Sequence, residues 1–121
     1  MTKIIRYVGR NTETGAGEVV VEREGERPYV LDPRLDLRNH SPTGFAWGYG
    51  GSGPAQLSLA ILADFFRGSD EGDDQALALY QEFKFAVIAR LPQDQNFELQ
   101  SEAIDRITAA IFVKQLRTDN V

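Results

Sequence analysis

Gly48-Tyr-Gly-Gly-Ser-Gly53 has the spelling G-x-G-x-x-G and leads into an apolar run from Leu57 to Phe66. Backbone N–H groups at such a helix start can hold an anion, and glycine allows close approach to them. Gly50, Gly51, Ser52 and Gly53 are therefore the candidate anion-binding residues. A dinucleotide fingerprint would also need a buried strand before the turn and an acid about 20 residues after it. Here the lead-in is Phe45-Ala-Trp47, the later position falls in an acidic loop, and no Walker lysine follows. The competing reading, which we prefer, is a structural turn that seats a buried helix.

Other residues with chemical potential lack partners at the right spacing. His40 is the only imidazole and directly precedes Ser41. Adjacent residues rarely aim at each other, and no G-x-S-x-G motif is present, so His40 reads as a loop residue bonding backbone. Asp70, Glu71, Asp73 and Asp74 lack the D-x-D-x-D-G-x5-E order of a calcium loop and read as solvated acids before a helix. No catalytic residue, metal ligand or cofactor is assigned. Phe45, Trp47 and Tyr49 alternate with small residues, so in an extended segment all three would face one way. Exposed, they would be interface anchors; buried, they would cap the core beside the following helix.

The elements that must position these residues are legible in outline. Lys3–Val8, Glu18–Arg23 and Pro28–Leu31 read as short strands joined by turn chemistry at Gly9, Asn11 to Gly17 and Gly25. Residues 35–42 read as a crossing segment. A first helix is expected from Pro54, at the first helical position, to Arg67, with Gly68 as its left-handed cap. Its near-continuous apolar surface predicts burial at the centre of the domain. A second helix is expected over Gln75–Arg90, ended by Leu91-Pro92. Asn96–Leu99 alternates like a fourth short strand. Ser101 is placed to cap a third helix, Glu102–Arg117, with Ile104, Ile107, Ile111 and Phe112 inward. The fold class is α+β: an N-terminal antiparallel three-stranded sheet, with a fourth short strand allowed, against three helices. Residues 1–121 form one domain.

Composition narrows the function classes. The chain has 121 residues, no cysteine and net charge −5, with the whole deficit after residue 40. That sign opposes nucleic-acid binding. No apolar run is long enough for a membrane span, and the start lacks a signal peptide's apolar region. A cytoplasmic protein is expected.

The string from Ser41 through Gly44-Phe-Ala-Trp-Gly-Tyr-Gly-Gly-Ser-Gly-Pro54 to Asp64 resembles the signature of an uncharacterised family of small bacterial, plasmid and phage proteins. The likeness extends to Tyr80-Gln-Glu-Phe-Lys84 and Ile88-Ala-Arg-Leu-Pro92. It implies no activity, but it does imply a mobile-element setting. Such proteins without catalytic residues often act by binding and blocking a host protein, including defence nucleases. The preferred expectation is a non-enzymatic interaction module, an anti-CRISPR-like inhibitor of a host defence complex. It would make contact through Phe45, Trp47, Tyr49, Asp70, Glu71, Asp73 and Asp74. The alternative is a small-molecule or nucleotide-binding module using the Gly50–Gly53 loop.

Overall fold

Alternation of apolar and polar residues places one face of the N-terminal strands inward. In the computed structural model, which describes residues 3–12 and 17–119, these are β1 (Ile5–Arg10), β2 (Glu18–Arg23) and β3 (Tyr29–Val30). The turn expected across Asn11 to Gly17 lies largely outside the described residues. β3 is shorter than the Pro28–Leu31 run, although the Leu31 N–H still donates to Val19 O at 2.9 Å. The fourth strand is β4 (Phe97–Gln100). It pairs antiparallel with β1, giving the order β3-β2-β1-β4 and making the first strand central. Ile5, Tyr7, Val19, Val21 and Phe97 bury the inner face. On the outer face, Arg6 bridges Glu22 and Glu98 at 2.5 and 3.1 Å.

Three helices complete the fold: α1 (Ser52–Phe65), α2 (Gly72–Ala86) and α3 (Ser101–Asp119). As its composition predicts, α1 is buried from Gly53 to Ala63 without interruption. It begins two residues earlier than expected, so Pro54 occupies the third helical position. There its missing N–H is still one of those that no helical carbonyl would receive. Phe66 closes α1, and Gly68, at φ +92°, lies in the following turn rather than at the cap. α2 is shorter than the Gln75–Arg90 expectation at its far end, where the chain tightens into a 3₁₀ turn at Ile88–Arg90. Asp73 and Asp74 fall in the first turn of α2, where negative charge suits the helix dipole.

Two expectations about α3 are corrected. Ser101 belongs to the helix, and its hydroxyl accepts the Ile5 N–H at 3.1 Å, tying α3 to the central strand. Phe112 is exposed whereas Ile111 is buried. Consecutive helical residues point about 100° apart, so both could not face the core. Among the described residues no helix is long and apolar enough to cross a membrane.

Candidate functional site

The Gly-rich segment is built by docking rather than by regular structure. The Phe45 carbonyl accepts the Gly17 N–H at 2.9 Å. Trp47 donates its indole N–H to Gln95 O at 2.8 Å and packs edge-on against Phe97, with centroids 4.8 Å apart. The Gly48 N–H donates to Ile88 O at 3.0 Å, seating the loop on the exit from α2. Gly48 has φ +91°, and a Cβ there would meet the Gln93 backbone at 2.6 Å. Only glycine takes both that torsion and that approach comfortably.

This turn separates the three aromatic residues expected on one surface. Phe45 and Trp47 are core residues, with Trp47 only 4% exposed, whereas Tyr49 is 44% exposed. Burial withdraws Phe45 and Trp47 from the expected contact surface and leaves Tyr49 on it.

Beyond the turn, Gly51 is the N-cap of α1 in extended backbone, without a side-chain cap, and the first turn holds no acid. Neither Gly51 nor Gly53 takes a positive φ. Gly53 is required by approach: a Cβ there would lie 2.7 Å from the Ala46 Cβ. At Gly51 the obstacle is the movable Tyr49 ring, 2.5 Å away at Cε2. Gly53→Val is therefore expected to cost about 1–3 kcal/mol by overpacking. Gly51→Val should cost clearly less, because the Tyr49 ring can swing into solvent. Paired thermal melts check this; equal losses at the two positions would show that the crowding argument is wrong.

Among the described residues the N–H groups of Ser52 and Gly53 make no hydrogen bond, and the first main-chain bond of the helix runs from Ala55 to Gly51 O at 3.0 Å. Gly50 and Ser52 are exposed and Gly51 half-buried, while Gly53 itself is buried. The ring of Phe85, from the end of α2, lies against Gly50, 3.2 Å from a Cβ position there. Beside it Lys84 is 8% exposed, with its ammonium 4.1 Å from the centroid of the Phe85 ring. Lys84 escaped the sequence reading as a site residue. Its signal was a lysine on the apolar stripe of Tyr80, Phe83 and Val87.

The remaining candidates do not assemble with this loop. Arg34 grips Asp73 through both terminal nitrogens at 2.8 and 3.1 Å and also holds Asp36. Asp73 is thus committed within the fold, while Asp70, Glu71 and Asp74 stay exposed at the opposite end of α2. The His40 ring bonds the Tyr80 hydroxyl at 2.8 Å instead of backbone, and the Ser41 hydroxyl donates to Gly44 O at 2.7 Å. They form no nucleophile–base pair. Among the described residues no group of three or more His, Cys, Asp or Glu is placed to hold a metal ion.

A polar cluster that sequence reasoning missed joins the sheet to α1. Asp64 accepts hydrogen bonds from Tyr7 at 2.6 Å, Tyr29 at 2.5 Å and Arg23 at 2.9 Å. Arg23 also donates to the Tyr29 hydroxyl and to Asp64 O. Burial first, and then the Asp64 charge, push the Tyr7 phenol well above the ordinary tyrosine range. Burial and the hydrogen bond to Asp64 raise Tyr29. Both carboxylate oxygens are engaged, so the cluster acts as a clasp between layers.

On the other side of α2, a groove of about 550 Å³ runs between α2 and α3. Phe85, Ala86, Ile107, Ala110 and Ile111 form its apolar lining; Arg90, Arg106 and Lys114 stand around it with one acid, Glu82. Lys114 lies 3.8 Å from Glu82, whereas Arg90 and Arg106 make no ion pair among the described residues. An open apolar groove bordered by unpaired cations is suited to an apolar segment carrying acids.

Neither the curated proteins nor the solved structures include a match to this chain. A family model does match, over residues 7–110, a span that takes in the whole sheet except its first residues, the Gly-rich loop, α1, α2 and half of α3. The chain belongs to the family of unknown function DUF6166.

Proposed function

We propose that this protein is a non-enzymatic protein-binding module whose contact surface is the α2–α3 groove. The partner is an amphipathic helix with an apolar face and flanking acids. The carrying observation is the pairing of exposed apolar area, including Phe85 at 59%, with unpaired Arg90 and Arg106 in an otherwise acidic protein. Helix-in-groove recognition uses apolar anchors for affinity, while charges around them set orientation and the rate of encounter. Phe112, Val113 and Leu116 add exposed apolar surface on the far flank of α3. The setting in this proposal is the one the family resemblance implied. The protein belongs to a mobile genetic element, acts in the cytoplasm, and blocks a host protein of a defence system. The groove stands in place of the sequence-based contact set: Phe45 and Trp47 are buried, and the acidic residues lie at the other end of α2.

The experiment compares wild type, Arg90→Glu/Arg106→Glu and Asp70→Lys/Glu71→Lys/Asp74→Lys as immobilised baits in bacterial lysate. Sedimentation and melting temperature are measured alongside. We expect a host protein retained by wild type and by the acidic-loop variant but lost from the groove variant, with melting unchanged. Loss from the acidic-loop variant alone would move the contact to that loop. A wild-type dimer dispersed by the groove substitutions would make a second copy the occupant and overturn the proposal.

A further inference from the structure

We propose that the outer stripe of α3 pairs two copies of this chain, antiparallel and about a two-fold axis. Glu102, Asp105, Ala109, Phe112 and Leu116 follow one another at intervals of three and four residues, so they share one line along the helix. Phe112 is 53% and Leu116 45% exposed, and Ala109 lies exposed between them and the acids. Apolar residues at this spacing form the seam of paired helices, and no described element covers this one. The α2–α3 groove draws instead on Arg106, Ile107, Ala110, Ile111 and Lys114, so the stripe is a separate face.

The two ends of the stripe are unlike, and each suits the other. Its first turns border a cavity of about 400 Å³, with Ile4, Ile5 and Phe65 as the apolar lining and Lys3, Glu102 and Asp105 as the charges. Its far end carries the exposed Leu116 with Arg117 beside it. Among the described residues Glu102, Asp105 and Arg117 make no ion pair. One end thus offers an apolar knob and a cation, and the other an apolar hollow and two acids.

That complementarity selects a second copy as the occupant, because a two-fold contact needs one surface to supply both halves. With Ala109 opposite Phe112 of the second copy, the symmetry repeats that contact and sets Asp105 opposite Leu116 of the second copy at both ends. The small alanine leaves room for the phenyl ring. Leu116 of each copy then meets the mouth of the other's cavity, and Arg117 comes level with the acids. A parallel pairing would set acids against acids and leave both cavities unfilled. One helix pair is smaller than a standard interface of about 1,600 Å², so the dimer should be weak, with Kd in the micromolar range.

Sedimentation equilibrium of the full chain, from low micromolar to near-millimolar concentration, is the test, with melting temperature measured at the dilute end. We expect a monomer–dimer equilibrium with no larger species. Phe112→Lys and Leu116→Lys, at exposed positions, should abolish it with melting unchanged. Arg117→Glu and Asp105→Lys should each weaken it about tenfold, because two symmetric ion pairs turn repulsive. The two changes combined should restore it, since every copy then carries the reversed pair. Arg90→Glu/Arg106→Glu should still dimerise, which separates this face from the groove. A monomer at every concentration, growth beyond the dimer, or a dimer that survives Phe112→Lys and Leu116→Lys would overturn the proposal. Dispersal by the groove substitutions, or no recovery in the combined charge variant, would do the same.

Discussion

Asp64→Ala is expected to cost about 3–5 kcal/mol, the range for removing one partner of a buried ion pair. Arg23 and Asp64 have side chains only 12% and 10% exposed, so the substitution strands a guanidinium between sheet and helix. Tyr7 and Tyr29 lose their acceptor in the same step. Such a loss is a large share of the roughly 5–15 kcal/mol that stabilises an ordinary domain. Urea unfolding of wild type, Asp64→Ala and Asp64→Asn provides the measurement. Asn keeps an acceptor oxygen and should lose less than Ala; a shift below about 1 kcal/mol for Ala would refute the clasp, being no more than a typical point mutation.

The same cluster predicts an alkaline limit. Tyr7 and Tyr29 are raised above the ordinary value of 10.0, so the folded state favours their protonated forms. Their contribution is complete below that value and falls as pH rises past it, because the unfolded chain loses those protons first. Tyr7→Phe, without the buried titrating hydroxyl, should show a shallower alkaline decline.

Gln56→Leu is expected to cost about 2–4 kcal/mol by leaving several polar groups without partners. The fully buried Gln56 side chain accepts from the His40 and Ser41 N–H groups at 2.8 and 3.1 Å. It donates to Pro33 O and Arg38 O at 2.6 and 3.0 Å. Leucine has similar bulk, so the loss is polar and localised to the segment laid over α1. Amide exchange at His40 and Ser41 should accelerate well beyond that of the sheet. Continued protection at those amides together with an unchanged melting temperature would show that water replaces the glutamine.

The element order was readable because each signal is local. The unbroken apolar surface of α1 required burial on every side. In the fold the sheet clasps it through Asp64, α2 packs along it, and the 33–41 segment is held over it by Gln56. Short β-branched runs bounded by turn residues likewise marked β1 and β2, and the fold then put Ile5, Tyr7, Val19 and Val21 on the buried face. The three-aromatic surface did not survive because alternation holds only in extended chain. Gly48 at positive φ turns Tyr49 away from Phe45 and Trp47.

What the sequence determined by itself was therefore the order of elements, the buried helix, and the need for glycine at the entrance to α1. Only the tertiary structure decided which distant groups meet. Arg23 lies 41 positions from Asp64, β4 crosses the sequence to flank β1, and Ser58 meets Tyr80 where α2 packs on α1. Periodicity assigns a residue to a face of its own element. Which element covers that face depends on the register of long-range packing, where burial and hydrogen bonding of the whole chain are settled together.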